Sequence, residues 1–317
     1  MMKRKLLFVV HSWGMGGSEN NVKRMSKEAV LKGHDVSVFT NTNEQYYGVN
    51  VSSNPNIITD KYDLIFIHGS CSHQDLVIHN INLLKSPIYY AIIEPNNLQM
   101  VHRGCQVANW IGVGTSFDRA FVEQYGYDNK AVNYVYGIEP NAKGLLGFKD
   151  KYNIKTSKMI LSAGGFFPHK RMQQLSNIFQ EANLENTTLV LMGYDTRFGP
   201  APNETDNVKC IIGAGQEDVY DAMVEADLYV MNSEKEGYGL CILEAMYNNC
   251  PWISMDIAAA HDLQIFGDVY KTENELLELL RTYKSRNNNP KLIGAPNYIF
   301  YNHLVEHSLN SILKVLE

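Results

Sequence analysis

Two glutamates, Glu236 and Glu244, flank a glycine turn and are the side chains best placed to do chemistry. Glu236 stands just before Gly237 and Gly239, and Glu244 lies in the segment that follows the turn. A carboxylate accepts hydrogen bonds from hydroxyl groups, so both side chains could face one hydroxyl-bearing ligand. The spacing leaves a second interpretation open, in which Glu236 lies in a solvated loop and Glu244 on a solvated helix face, because glutamate is mostly exposed in proteins.

The elements on either side of this turn are a strand and a helix. The apolar run Leu228–Met231 precedes the turn, and Leu240, Leu243 and Met246 follow it at helical spacing. In an open parallel sheet, ligands bind at the carboxyl ends of the strands, where the free N–H groups of the next helix attract anions. The sequence therefore predicts an anion-binding turn.

Another glycine turn, at residues 14–19, lies between a predicted strand at residues 6–10 and a helix that should begin near Asn20. Its glycines allow close approach of the backbone to a ligand, with a plain tight turn as the alternative. Glu19 occupies the third glycine position of the dinucleotide fingerprint G-x-G-x-x-G. A negative side chain there fits a pyrophosphate poorly, which disfavours a nicotinamide cofactor.

Two adjacent cations, Lys170 and Arg171, follow the turn Gly164-Gly165 and precede a predicted helix at residues 173–181. Cations beside a helix start and free backbone N–H groups form a site for a diphosphate. Carboxylates would repel a diphosphate unless they bind something else, and sugar hydroxyls are suitable partners for them. The three turns together therefore favour a nucleotide sugar.

The remaining apolar runs alternate with helical segments in two series. The first series has predicted strands at residues 6–10, 36–40, 64–67, 88–93, 110–113 and 133–135, with helices at 74–84 and 116–125. The second has predicted strands at residues 158–163, 188–192, 208–212, 228–231 and 252–255, with helices at 173–181, 218–226 and 273–284. We therefore expect an α/β protein with two doubly wound, Rossmann-like domains facing across a cleft.

The domain boundaries follow from a break in this alternation. A chain of 317 residues exceeds the usual size of a single hydrophobic core. We place the N-terminal domain at residues 1–140, a linker at 141–157 and the C-terminal domain at 158–300. Residues 301–317 are expected to form a terminal amphipathic helix that could pack back towards the N-terminal domain.

Composition limits the compartment and the partners. With 45% hydrophobic and 20% charged residues the chain is typical of a soluble globular protein, and its net charge of −6 argues against capture of nucleic acid by the whole chain. The five cysteines (Cys71, Cys105, Cys210, Cys241 and Cys250) form no C-x-x-C pair, which fits reduced thiols in a cytoplasm better than disulfides or a zinc site. No apolar run approaches the roughly 18 residues of a transmembrane helix, and the short run after the basic start is the first strand rather than a signal peptide.

At this point the motifs resemble those of a known family. Glu236 and Glu244 match the E-x7-E motif of the retaining GT-B glycosyltransferases of family 4, and Gly16-Gly17 with Glu19 is similar to that family's N-terminal G-G-x-E loop. Residues 164–171 resemble its phosphate-clamp segment. The order and spacing of the three motifs match the family over nearly the whole chain.

The resemblance implies a role for each matching residue. Glu236 would hold hydroxyls of the donor sugar, Glu244 would bind the nucleotide ribose, and Lys170 would neutralise the leaving group as the glycosidic bond breaks. The catalytic residues would be Glu236 and Lys170. The implied contacts to the donor come from Gly16, Gly17, Arg171, Tyr238, Gly239, Leu240, Cys241 and Glu244, with the amides of residues 239–241 cradling the diphosphate.

The activity implied is transfer of a hexosyl or pentosyl group from a UDP- or GDP-sugar to a hydroxyl of a glycan, a lipid-linked sugar or another acceptor. In such enzymes the donor phosphate takes the acceptor proton in a front-face reaction, and no metal or other cofactor is implied. A non-catalytic GT-B protein that binds a nucleotide or glycan, a glycosyltransferase acting on modified nucleic acid, and a sugar-nucleotide epimerase stay open as alternatives.

Two positions depart from the family pattern. Gly165 stands where the clamp usually has arginine, so Arg171 would be a partial substitute, with a solvated helix start as the alternative. Glu94 stands where many members have histidine, and His102 either supplies an imidazole from another place or is structural.

The acceptor is left open by these motifs. A basic face on the first helix, with Lys23, Arg24 and Lys27, allows peripheral membrane contact or is simply solvated. Tyr46 and Tyr47, with the Asn-rich loop predicted at residues 41–56, would either stack on a sugar or base, or cap the domain.

Overall fold

The structure is a computed structural model that describes residues 2–14, 16–59, 61–69, 77–78, 80, 86–92, 98–193 and 199–317. The chain forms two compact units, one comprising Met1–Glu139 and His303–Glu317, and the other comprising Pro140–Asn302. Cys71, Glu94 and most of the helix expected at residues 74–84 lie outside the described residues, and of that helix residues 77, 78 and 80 are described as helical. Within the described part of the chain, no helix has the length and apolar character needed to cross a membrane.

The first unit is built on a sheet of buried apolar strands. The strands are β1 (Lys5–Val9), β2 (Asp35–Phe39), β3 (Glu44–Tyr46), β4 (Val49–Ser52), β5 (Leu64–His68), β6 (Ile88–Ala91), β7 (Trp110–Val113) and β8 (Ala131–Asn133). Their order in the sheet is β3-β4-β2-β1-β5-β6-β7-β8, and every neighbouring pair is parallel except β3 and β4. Strands covered on both faces read as continuous apolar runs, which is why most of them were visible in the sequence.

The described helices of this unit are Gly17–Leu31, Leu98–Val107, Ser116–Gln124 and Val305–Leu313. The last of these belongs to the first unit although it follows the second unit in the sequence. Backbone hydrogen bonds attach it, because Ile138 N donates to His303 O at 2.8 Å and Val305 N donates to Ile138 O at 2.8 Å. Its Ser308 Oγ also lies 3.1 Å from Met25 Sδ of the first helix.

The second unit has an entirely parallel sheet within the described residues. Its strands are β9 (Lys158–Ala163), β10 (Thr187–Gly193), β11 (Val208–Ile212), β12 (Leu228–Met231), β13 (Trp252–Met255) and β14 (Asp268–Tyr270), in the order β11-β10-β9-β12-β13-β14. The described helices are Phe148–Lys151, Met172–Ala182, Gln216–Glu225, Leu240–Tyr247, Ala258–Asp262, Glu273–Thr282 and Ala295–Asn302. One core cluster joins Ile160, Leu191 and Val230 of the sheet to Leu175 and Phe179 of a covering helix.

Several elements differ from the sequence-based expectation. The polar stretch expected to be a loop at residues 41–56 contains the β3–β4 hairpin, and the first helix begins at Gly17 rather than near Asn20. The strand expected at residues 133–135 is observed at Ala131–Asn133, and the helices Leu98–Val107 and Ala295–Asn302 were not predicted. Short polar strands and a helix start without a side-chain cap leave little signal in composition or periodicity.

Candidate functional site

The topological switch point of the second unit lies between β9 and β12. These strands are parallel neighbours, with Leu228 level with Ile160. The sheet continues from β9 to β10 and β11 on one side and from β12 to β13 and β14 on the other. Open α/β sheets bind ligands at the carboxyl ends of the strands at such a point. The loops that follow β9 and β12 are the two loops that the sequence singled out.

An ion pair joins these two loops. The Lys170 ammonium, which ends the 3-10 helix Pro168–Lys170, contacts Oε1 of Glu236. The two side chains are 21% and 14% exposed, so the pair is partly shielded from water but still reachable by a ligand. The interpretation of Glu236 as a solvated loop residue is therefore wrong. A cation and a carboxylate at one position can bind a phosphate and a hydroxyl group, respectively.

Buried polar groups hold the Lys170 loop in place. Asn232 Nδ2 donates to the carbonyl of Arg171 at 2.9 Å, and the Tyr270 hydroxyl donates to Asn232 Oδ1. Glu234 N also donates to His169 O at 2.9 Å. Asn232 and Tyr270 are buried, so these bonds are shielded from water and position the backbone next to Lys170. The sequence analysis missed both residues, although a polar residue directly after the apolar run of β12 was a usable signal.

The glycine turn after β12 starts a helix in an unusual backbone conformation. Gly239 has φ of 93°, a region that side chains disfavour, and the helix Leu240–Tyr247 follows directly. Ile242 N donates to Gly239 O at 2.9 Å. The amides of Leu240 and Cys241 belong to the first turn of the helix, and first-turn amides have no acceptor within their own helix. These first-turn amides are suited to bind an anion.

Cys241 is not suited to act as a nucleophile. Burial, and then the negative charge of Glu244, raise the pKa of its thiol to about 12. The thiol is therefore protonated and neutral near pH 7, and only the thiolate is reactive. The four described cysteines are free.

Glu244 lies in the protein interior rather than on a solvated helix face. It is 3% exposed, and the solvated alternative is therefore wrong. Its Oε1 accepts from the Tyr220 hydroxyl at 3.4 Å and from Gln216 Nε2 at 3.5 Å. Both contacts are long for hydrogen bonds to a carboxylate.

The structure directs Arg171 away from the Lys170–Glu236 pair. Its guanidinium bonds the carboxylate of Glu273 and lies 3.4 Å from Met255 Sδ. Arg171 as a partial substitute for the clamp arginine stays a prediction. Tyr238 is buried in the glycine turn, and its carbonyl accepts from Ala259 N at 3.1 Å.

The glycine turn of the first unit also starts a helix. Gly16 caps the helix Gly17–Leu31, and Asn20 N donates to its carbonyl at 2.9 Å. The Glu19 carboxylate accepts a hydrogen bond from Ser12 Oγ at 2.5 Å. It lies so close to Gly16 that a Cβ atom added at Gly16 would be 2.2 Å from Glu19 Oε2. The start of a helix favours an anion, and here the Glu19 carboxylate already lies at that position. A pyrophosphate therefore fits this turn poorly.

Two histidines of the first unit have structural surroundings. His68 ends β5, and its Nε2 accepts from Asn21 Nδ2 at 2.8 Å. Burial lowers the pKa of His68 to about 3, so the ring is neutral at pH 7. His102 Nδ1 lies 3.0 Å from the Tyr127 hydroxyl, and its ring packs against Phe121. The sequence analysis did not single out His68, although a histidine at the end of an apolar run was visible.

Comparison with known proteins agrees with this architecture. Residues 148–266 match the family described as Glycosyl transferases group 1, and no curated protein matches the chain. Among solved structures, the chain is similar to HepE from Anabaena in complex with UDP-glucose, with a TM-score of 0.81, 16% identity and 99% of each chain covered. It is also similar to sucrose-phosphate synthase from Thermosynechococcus elongatus (TM-score 0.76, 13% identity, 98% of each chain). A glycosyltransferase from Rickettsia africae gives a TM-score of 0.76 at 14% identity, with 100% of this chain and 98% of the other covered.

At these identities the similarity to solved structures establishes the fold. The expectation of two Rossmann-like domains in an α/β protein is confirmed. The chain has the GT-B fold, and its residues 148–266 match the model of the group 1 glycosyl transferases.

Proposed function

We propose that the protein is a retaining glycosyltransferase of family 4, which moves a sugar from a UDP- or GDP-sugar to a hydroxyl acceptor. The observation that carries the proposal is the Lys170–Glu236 ion pair at the switch point of the second unit, beside the helix start at Gly239. A cation, free amides and a carboxylate are the groups that a sugar diphosphate needs. The UDP-glucose bound to HepE makes UDP-glucose the first donor to test.

In this proposal the diphosphate lies against the amides of Leu240 and Cys241. Lys170 exchanges its contact with Glu236 for one with the diphosphate when the donor binds. Glu236, released from the ammonium, accepts hydrogen bonds from hydroxyls of the donor sugar. Glu244 accepts from the ribose hydroxyls, and Tyr238, Arg171, Gly16 and Gly17 remain predicted donor contacts.

The reaction breaks the bond between the anomeric carbon and the diphosphate oxygen. Negative charge then develops on the departing phosphate, and the Lys170 ammonium stabilises it. The acceptor oxygen attacks the same face of the sugar and gives its proton to a phosphate oxygen, so the configuration is retained. No residue of the protein becomes covalently attached, and no metal takes part. This description suits Cys241, whose protonated thiol would be unreactive.

A non-catalytic GT-B protein is the second candidate, and one observation favours it. Gly165 occupies the position at which the resemblance expects the clamp arginine, and Arg171 is bonded to Glu273 instead. A site with a single cation would bind a nucleotide sugar but stabilise the departing diphosphate less. Binding of a donor without turnover is the result that this alternative expects.

The test combines a thermal-shift screen with donor turnover. We expect UDP or GDP to raise Tm, and one of UDP-glucose, UDP-galactose and GDP-mannose to be hydrolysed slowly. Lys170→Met should lower kcat about 10²–10³-fold, the usual effect of removing a group that stabilises transition-state charge. Glu236→Gln should raise KM for the donor.

The matched control is Lys151→Met, which removes a second lysine–carboxylate pair of the same unit. Lys151 is 58% exposed and pairs with Asp218 at the surface, so its loss should leave turnover unchanged. Equal turnover in wild type, Lys170→Met and Lys151→Met would refute the proposed roles. Donor binding without any turnover would favour the non-catalytic alternative.

A further inference from the structure

The tip of the β3–β4 hairpin carries an aromatic residue where turn chemistry disfavours one. Tyr47 and Gly48 join the two strands, with φ of 50° and 83°. Two positive φ values in a two-residue hairpin turn indicate type I′, for which Asn-Gly is preferred. A bulky residue in the left-handed region is strained, and such strain recurs at functional positions. Tyr47 is 67% exposed, so burial within the unit does not explain its presence.

Neighbouring side chains hold the Tyr47 ring in one position. The Tyr46 ring meets it edge-on at 4.8 Å between centroids, and Trp13 meets Tyr46 edge-on at 5.4 Å. Lys27 Nζ lies over one face of the Tyr47 ring, 4.8 Å from its centroid. These contacts orient the ring and leave most of its surface open to solvent. An oriented, exposed aromatic face needs little ordering when a ligand binds.

Polar groups suited to hydroxyls surround this ring. Lys27 Nζ lies 3.4 Å from Glu139 Oε1, and the two side chains are 28% and 25% exposed. Burial, and then the charge of Glu139, raise the pKa of Tyr46, so its hydroxyl is protonated at neutral pH and can donate as well as accept. An aromatic face flanked by an ammonium, a carboxylate and a phenol fits a sugar ring, whose C–H groups contact the ring while its hydroxyls form hydrogen bonds.

The charges at this position favour a neutral sugar over a lipid surface. Glu139 would lose water on insertion into a bilayer, which is costly for a carboxylate. Glu44, which accepts from Trp13 Nε1, would also be brought close to anionic headgroups. Glu139 pairs with Lys27, and Lys23, which lies 5.1 Å from the centroid of the Trp13 ring, interacts with Glu44 and Glu19. The cations therefore have carboxylates nearby, and an anionic ligand is not required.

We propose that Tyr46, Tyr47, Lys27 and Glu139, with the buried Trp13 supporting Tyr46, form a saccharide-binding surface, here called the Tyr47 surface. A neutral pyranose of the acceptor stacks on Tyr47, and its hydroxyls bond Lys27 and Glu139. The inference rests on the proposed function and extends it, because it assigns the acceptor to the class of neutral glycans.

The test uses two variants of the whole protein. Tyr47→Asn installs the residue that a type I′ turn prefers, so its Tm should equal or exceed that of the wild type. Tyr47→Phe keeps the ring. Saturation-transfer difference NMR with lactose, maltose and cellobiose measures binding without any donor. We expect at least one disaccharide to bind wild type and Tyr47→Phe, and to bind Tyr47→Asn about tenfold more weakly.

The proposal is overturned if none of the three disaccharides binds, or if Tyr47→Asn binds them as well as wild type. It is also overturned if Tyr47 is needed instead for binding to vesicles of phosphatidylethanolamine and phosphatidylglycerol. The NMR measurement contains no nucleotide sugar, so it is independent of turnover. If the protein binds a disaccharide through Tyr47 but turns over no nucleotide sugar, only the proposed function is rejected. Turnover with unchanged disaccharide binding in Tyr47→Asn would reject only the Tyr47 surface.

Discussion

Acidification should destabilise the protein through His68, the buried histidine beneath the first helix. His68 is 3% exposed, and burial lowers its pKa to about 3. In the unfolded chain its pKa returns to about 6.5. Between these two values the unfolded state binds one proton more than the folded state, so stability rises with pH in this window. The contribution is fully present above about pH 6.5 and is lost progressively as the pH falls towards about 3.

The size of the effect follows from the two pKa values. Each pH unit inside the window changes the free energy of unfolding by about 1.4 kcal/mol for one proton. From the unfolded pKa near 6.5 down to pH 5 the window covers about 1.5 units, which amounts to about 2 kcal/mol. That loss is a large fraction of the stability of a typical domain, roughly 5–15 kcal/mol.

Urea unfolding of wild type and His68→Gln at pH 7 and pH 5 measures this loss. Glutamine does not titrate and still offers an acceptor to Asn21, whose Nδ2 donates to His68. Burial also lowers the pKa of His34 and His303, but these residues contribute equally to both proteins. We expect wild type to lose about 2 kcal/mol more than the variant. Equal losses, or a His68 imidazole that titrates near pH 6.5 by NMR, would refute this reasoning.

Three further predictions concern the second unit. Gly239→Ala should lower the free energy of unfolding by about 1 kcal/mol and raise the Kd of UDP measured by calorimetry. Its control is Gly213→Ala, which also changes a glycine at a positive φ, of 78°, but at the end of β11. The control should lower the free energy of unfolding by a similar amount and leave the Kd of UDP unchanged. Tyr270→Phe should leave Asn232 Oδ1 without the hydroxyl that donates to it. We expect the free energy of unfolding to fall by about 1–2 kcal/mol and kcat to fall about tenfold. Unchanged Tm and kcat would contradict this prediction. Glu244→Gln should raise the Kd of UDP about tenfold in calorimetry, because the ribose hydroxyls lose a charged acceptor, and an unchanged Kd would exclude the ribose role.

Strands that are buried on both faces were predictable because their sequences are continuously apolar. β9, β12 and β13 were located residue for residue in this way. The β3–β4 hairpin was not, since β3 is polar and its turn is Tyr-Gly rather than Asn-Gly. β4 pairs with β2 and does alternate apolar and polar residues, but over only four positions, which is a short signal.

The candidate site was predictable as residue types but not as contacts. Glycine before a helical run indicated the turn at Gly239, and adjacent cations indicated Lys170. The contact between Lys170 and Glu236 depends on β9 and β12 being neighbours, which follows from strand order rather than local sequence. The burial of Glu244 likewise depends on the packing of Tyr220 beside it, and Arg171 was drawn to a carboxylate that lies far along the chain.

One measurement tests the central claim most directly: the configuration of the sugar released from a nucleotide sugar. Proton NMR of the protein with UDP-glucose and no acceptor follows UDP release and the anomer of free glucose before it equilibrates. The account predicts that wild type releases UDP with α-glucose first, and that Lys170→Met is about 10²–10³-fold slower. Release of β-glucose first, or equal rates in the two proteins, would contradict it.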